Sequence, residues 1–251
     1  MLVAAHKHAP MPVDAMYLPV QVGRVLAEAD LGYQSDAEGQ NISELNRAYC
    51  ELTALYWAWK NLDADAVGLS HYRRYFSGTA AGPRGSRVMS SDEAADALKR
   101  ADLVLAKPRN YVLETIESHY RHGHYGEDLD VLRETISRLS PRYSDAFEHV
   151  MKGRQLSLYN MFLTSRQNFE DIASWLFAVL EDASKSIDNE SRSDYQQRTF
   201  GYLGERLLNV WARAHQDSLR IHYARVVNTE GEPKVQKAFS LLKRKVSGRA
   251  Q

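Results

Sequence analysis

Apolar positions along this chain follow two rhythms, short unbroken runs and stripes at helical spacing. Leu2–Ala5, residues 66–70 (AVGLS), Leu103–Ala106 and residues 159–164 (YNMFLT) are compact apolar runs between polar or turn-forming segments, and they predict buried strands. Helical spacing appears over residues 17–29 through Leu18, Val22, Val25 and Leu26. It returns over residues 43–61, where Leu45, Tyr49, Leu52, Leu55, Tyr56 and Trp59 form a stripe. Ser43, with Asn46 three positions on, makes an imperfect capping box for that second helix. Further helices are predicted over 92–99, 128–139, 169–180 and 195–214, the last carrying Leu203, Leu207, Leu208 and Trp211. Residues 31–41 and 78–91, which contain Gly82, Pro83 and Gly85, read as loops, as does the His-rich segment 119–124. Strands alternating with helices predict an α/β domain around a mainly parallel sheet flanked by helices.

Length and charge sharpen this picture. At 251 residues, with 44% hydrophobic and 25% charged positions, the chain is expected to form one globular domain, residues 1–232, followed by a tail, residues 233–251. Lys and Arg number 32 and so do Asp and Glu, so no global field favours nucleic acid, which is not an expected partner. The tail differs: Lys234, Lys237, Lys243, Arg244, Lys245 and Arg249 are interleaved with Val235, Phe239, Leu241, Leu242 and Val246, and no acidic residue comes after Glu232. Such a segment suits a helix lying on an anionic membrane surface, and equally a solvated terminal helix with one packed face. Cys50 is alone, which excludes an internal disulfide framework and fits a reducing compartment. His and Pro interrupt the first residues before any apolar stretch of signal-peptide length, and no run reaches the roughly 20 apolar residues of a membrane span. A cytoplasmic location is expected.

In open α/β sheets ligands bind beyond the carboxyl ends of strands, which draws attention to the polar residues just after each apolar run. His71, Tyr72, Arg73 and Arg74 come directly after AVGLS. In an extended segment His71 and Arg73 would share one side, with Arg74 on the other. An Arg fork beside a His is a candidate diphosphate clamp, and a salt-bridged strand end is the plainer alternative. His119, His122 and His124 have a spacing compatible with metal ligation, with Glu127 or Asp128 as carboxylate partner, although three His in a loop are more often surface residues. Glu127 and Asp128 could equally serve as a general base or as helix N-terminal charges. Glu205, near Arg198 and Arg206 on an apolar-faced helix, reads by itself as part of an ion-pair face. The chain has no Walker loop, G-x-G-x-x-G, G-x-S-x-G or H-E-x-x-H. These residues lead to an α/β anion-binding enzyme or binding protein and no further.

The stretch NISELNRAYCELTALYWAWKN, residues 41–61, together with VGLSHYRRYF, residues 67–76, resembles the domain-of-unknown-function 4422 family of capsular and exopolysaccharide biosynthesis proteins. The resemblance continues in Ala5-His6-Lys7, around His119 to Leu129, in YNMF at 159–162 and in Q-x-R-x-x-G-x-x-x-E-R-L-L-N-V-W at 196–211. That family is grouped with nucleotide-sugar glycosyltransferases of the GT-A type, with relatives associated with galactofuranosyl transfer. The resemblance therefore implies a Rossmann-like GT-A domain and an inverting transferase moving a hexose from a UDP-sugar to a hydroxyl of a growing capsule, O-antigen or exopolysaccharide glycan. The alternative is a noncatalytic nucleotide-sugar-binding or scaffold subunit of an assembly complex.

By the same resemblance, Ala5, His6, Lys7, Asp36, Asn41, Ser43, Asn46, His71, Arg73, Arg74, Asn160, Gln196 and Arg198 are expected near the donor. Asp128, Glu127 and Glu205 are the candidate bases, in that order. Gln40 stands where the family leads one to expect an acidic residue. The usual GT-A plan places Asp-x-Asp and a divalent metal after a central strand; here His71-Tyr72-Arg73-Arg74 takes that place, so no metal cofactor is expected. The acceptor in such pathways is commonly carried on a lipid, for which the basic tail would supply peripheral membrane contact.

Overall fold

The computed structural model describes residues 1–231. In chain order the strands are β1 (Leu2–Ala5), β2 (Leu18–Gln21), β3 (Gln34–Ser35), β4 (Ala66–His71), β5 (Arg74–Ala81), β6 (Arg87–Val88), β7 (Leu103–Ala106), β8 (Arg109–Asn110), β9 (Gln155–Leu156), β10 (Phe162–Ser165), β11 (Ile221–Ala224) and β12 (Val226–Asn228). The helices are α1 (Asn46–Tyr49), α2 (Leu52–Asn61), α3 (Ser91–Arg100), α4 (Ile116–Gly123), α5 (Glu127–Leu139), α6 (Ser144–Lys152), α7 (Arg166–Ser184) and α8 (Thr199–Ala214). The central sheet runs β11-β7-β10-β4-β1-β2-β3. The β1–β2, β1–β4, β2–β3 and β7–β11 pairs are parallel, while β10 runs antiparallel to both of its neighbours. A mainly parallel sheet between helices is the architecture expected from the apolar runs.

Strand alternation divides the core into two faces. Leu2, Ala4, Val67, Leu69, Leu103, Leu105 and Phe162 face the main helical layer, where Phe169, Leu176 and Leu180 of α7 and Leu203, Leu207 and Trp211 of α8 meet them. Val104, Ala106 and Leu163 face the opposite way, against Ala94 and Ala97 of α3. Ser90 starts α3 with a capping box completed by Glu93, and Ser165 caps α7 by accepting from the backbone N–H of Asn168.

The structure corrects several local expectations. Residues 17–29 form strand β2 and a short 3-10 turn at Arg24–Leu26, not a helix. Their helical rhythm is overridden by pairing with β1, which buries Val20 and Gln21. The long helix expected over 43–61 is broken at Cys50, whose φ of 54° interrupts α1 and α2. The His-rich segment is helical, in α4, and Thr115 caps it. YNMFLT is a strand only from Phe162, because Tyr159 and Asn160 adopt left-handed φ values of 73° and 52°. Among the described residues no helix is long and apolar enough to cross a membrane. The amphipathic tail expected over 233–251 lies outside the described residues.

Candidate active site

The carboxyl ends of β1 and β4 lie side by side, because Ala4 pairs with His71 across the parallel ladder. Strand β10 runs the other way, so its leading residues Tyr159 and Asn160 reach the same end of the sheet. The His71-Tyr72-Arg73-Arg74 segment is a tight connection from β4 into β5, with His71 and Arg74 paired directly across it. Directly opposed residues share a face, so His71 is grouped with Arg74, and the expected His71–Arg73 alignment of an extended segment does not occur.

Two groups of side chains gather at this strand end. In the first, His6, Lys7 and Arg73 surround Tyr72: His6 packs edge-on at 5.3 Å between centroids, while Lys7 and Arg73 lie 5.2 and 5.6 Å from the ring centre. The His6 pKa is lowered first by burial and then by the charges of Lys7, Arg73 and Arg198. Three permanent cations thus converge on one imidazole at the end of β1. Glu230, just past β12, lies 3.6 Å from Lys7 Nζ and 3.9 Å from Arg73 Nη1.

The second group holds the turn at Tyr159 and Asn160. His71 Nε2–H donates to the Tyr159 carbonyl at 2.7 Å, which fixes the tautomer because a carbonyl can only accept. The Tyr159 N–H donates to Glu205 Oε1 at 2.6 Å. Asn160 Nδ2 donates to Glu51 Oε1 at 2.7 Å and to the Gly201 carbonyl at 3.1 Å. Arg74 stacks on the Tyr159 ring at 4.3 Å, with its Nε buried and unpartnered among the described residues. Two consecutive non-glycine residues at positive φ are held because these bonds over-determine them. Glu205 has only 16% of its side chain exposed, and burial raises its pKa against the opposing pull of Arg206. Burial likewise lowers the pKa of His71 and keeps it neutral near pH 7.

The remaining expected site residues make hydrogen bonds within the protein. Asp36, fully buried, accepts from the N–H groups of Gly23 and Arg24 and from the hydroxyls of Ser43 and Thr53. Asn46 packs over Gly23, whose φ of 67° and crowding by Asn46 Oδ1 leave no room for a Cβ. Asn41 bonds the carbonyls of Ala37 and Gly39 and accepts from the Ser43 N–H. These residues build the turn after β2 and thereby shape a wall of the strand end. Ala5 is buried, and its carbonyl accepts from the Val22 N–H. Gln196 bridges His124 and the Gly123 carbonyl, and Arg198 donates to Cys50 Sγ at 3.3 Å.

Asp128, placed first among the candidate bases, is held in a bidentate pair with Arg192 at 2.7 and 2.8 Å and accepts from Tyr120 Oη. It is 1% exposed, so a substrate hydroxyl has no path to its oxygens. Glu127 is exposed in the first turn of α5. Of the three, only Glu205 belongs to the strand-end cluster. His119, His122 and His124 also separate: His119 packs on Tyr111, His122 bonds Glu114, and His124 lies among Tyr120, Tyr195 and Tyr202. Among the described residues no group of three or more His, Cys, Asp or Glu is arranged to hold a metal ion. The cationic side chains after β4 are also the wrong donors for a hard divalent cation, which takes oxygen ligands. Glu51, overlooked in the sequence, signals itself only as one of two carboxylates, with Glu44, in residues 43–61.

The model of the Domain of unknown function (DUF4422) family matches residues 1–216. The apo structure of the bifunctional glycosyltransferase WbbM superimposes with a TM-score of 0.81 at 25% identity, over 92% of this chain and 45% of that one. This chain therefore spans less than half of that protein's length. No curated protein matches the chain.

Proposed function

The chain belongs to the DUF4422 family, and from that premise we propose that it is a glycosyltransferase using a UDP-hexose donor, with galactofuranose as the sugar. One observation carries the reading: Lys7, Arg73 and Arg198 converge on His6 at the carboxyl ends of β1 and β4, and Arg74, directly after Arg73, acts on the largely buried carboxylate of Glu205. The likeness to a glycosyltransferase supports it. The cations, joined by Arg74, receive the diphosphate and stabilise the negative charge that grows on it as the glycosidic bond breaks.

Glu205 removes the proton from an acceptor hydroxyl whose oxygen attacks the anomeric carbon from the face opposite the diphosphate. The new C–O bond forms as the bond to phosphate oxygen breaks, and UDP departs with the electron pair. The sugar centre inverts. Desolvation makes Glu205 a stronger base than an exposed carboxylate, and the Tyr159 N–H orients it. The acceptor is a growing, lipid-linked glycan of capsule, O-antigen or exopolysaccharide, and the basic tail provides membrane contact.

Calorimetry with UDP, with and without EDTA, tests the reading on the wild type and on Arg73→Ala. Micromolar binding that survives EDTA and weakens in the variant is expected. Absence of binding in both conditions overturns the donor assignment. UDP binding without acceptor-dependent UDP release would leave a noncatalytic binding subunit.

A further inference from the structure

Apart from the strand-end cluster, a cavity of about 630 Å³ opens between the carboxyl-terminal half of α8, the end of α6 and strands β7 and β11. Its volume falls within the roughly 300–1,000 Å³ of small-molecule sites. Arg154, Arg213, His149, Asn209, Gln155 and Tyr223 supply its polar and aromatic lining, and none of the described residues that line it is acidic. Among the described residues each guanidinium is braced by one protein acceptor, Arg154 by the Val112 carbonyl and Arg213 by Gln216 Oε1, which leaves further N–H groups on both. Val112 itself stands at the rim, exposed and with a φ of 49°, a conformation that β-branched residues rarely adopt. Forked donors, amides and an aromatic face without opposing carboxylates suit a saccharide that carries an anionic group.

The cavity is also aligned with the candidate base. Glu205, Asn209 and Arg213 are spaced by four residues on one face of α8, so the lining begins one turn, about 6 Å, from Glu205. Asn209 Nδ2 donates to the Glu205 carbonyl at 2.7 Å and to the Ser157 carbonyl at 2.8 Å, tying the cavity wall to the residues just before Tyr159. We propose that this cavity is a binding site for an anion-bearing saccharide, held by Arg154 and Arg213. Its role as the acceptor track leading to Glu205 rests on the glycosyltransferase reading; the binding itself does not.

The test is NMR titration of the full chain with three probes: a hyaluronan tetrasaccharide, neutral maltotetraose, and geranyl diphosphate as a soluble stand-in for a lipid-carrier headgroup. The hyaluronan fragment is expected to shift the amides of Asn110 and Gln155, with maltotetraose binding at least tenfold more weakly. Arg213→Ala, on the last turn of α8, and Arg154→Ala should each lower the affinity roughly tenfold, while Arg73→Ala leaves it unchanged. If geranyl diphosphate binds with the same arginine dependence and the tetrasaccharide does not, the anionic saccharide is overturned in favour of a carrier headgroup. Equal binding of the neutral probe, indifference to both arginine substitutions, or no binding of any probe overturns the site. UDP calorimetry on the same wild-type sample separates the two readings: saccharide binding without UDP binding removes the donor assignment and leaves this cavity standing.

Discussion

Glu205 accepts a hydrogen bond from the backbone N–H of Tyr159, and on the other side of the same peptide turn His71 donates to the Tyr159 carbonyl. One residue in a left-handed conformation is thus held between an acidic side chain of α8 and a neutral imidazole of β4. The carboxylate is oriented by backbone and cannot rotate away without releasing the turn. For proton abstraction this fixes where the base stands before any substrate arrives.

Replacing Glu205 with Gln keeps the shape and one acceptor oxygen for the Tyr159 N–H but removes the proton acceptor. The expected result is a fall in kcat of at least about 100-fold with UDP affinity preserved. Because burial raises the Glu205 pKa, the acidic limb of the wild-type rate profile should lie above the ordinary carboxylate range. Protonation on lowering the pH is what removes activity. Steady-state rates across pH, paired with UDP calorimetry on the variant, decide it. A near-normal rate in Glu205→Gln would remove the residue from the mechanism.

Asp128 should behave differently. Its pair with Arg192 has only 2% and 8% of the two side chains exposed, and removing one partner of such a pair typically costs roughly 3–5 kcal/mol. Asp128→Ala is therefore expected to lower the thermal midpoint markedly while leaving UDP affinity in the surviving folded protein unchanged. Differential scanning calorimetry and UDP titration below the transition check both parts.

The contrast between these two carboxylates shows what the sequence makes legible. Apolar runs identify β1, β4 and β7 because a buried parallel strand must be apolar on both faces, and the ends of those runs locate the site. Asp128 and Glu205 are alike in sequence, each a carboxylate on an amphipathic helix. They separate only when Arg192, 64 positions away, closes on Asp128 while, among the described residues, no cation closes on Glu205 in bidentate fashion. The same holds for Asp36, whose four donors come from residues 23, 24, 43 and 53. The breaks at Cys50 and at Tyr159–Asn160 are hidden for a related reason: positive φ at non-glycine residues is imposed by tertiary hydrogen bonds and leaves no compositional trace.

His71 makes stability depend on pH in a defined direction. Its folded-state pKa is lowered from 6.5, chiefly by burial, so the unfolded chain takes up a proton near that pH which the folded chain refuses. The stability it supports is complete above about pH 6.5 and declines as the pH falls toward the folded-state pKa. Urea denaturation at pH 7.5 and 5.5 should show a smaller loss for His71→Gln than for the wild type, since Gln can still donate to the Tyr159 carbonyl but does not titrate. An equal loss in both proteins would assign the pH dependence elsewhere.

Glu230 completes the electrostatics of the strand end. Its two carboxylate oxygens face Lys7 and Arg73, the cations assigned to the donor diphosphate, and all three side chains are partly exposed at 28%, 53% and 38%. A carboxylate in that position competes with a phosphate for the same N–H groups. Because the pairs are solvent-screened, each contributes little, about 0.2–1 kcal/mol. Glu230→Gln should accordingly tighten UDP binding by up to about fivefold at low ionic strength, with the gain shrinking at high salt as screening removes the competition. Calorimetry at two salt concentrations measures both effects. Weaker UDP binding in the variant would mean that Glu230 instead positions Lys7 and Arg73 for the ligand.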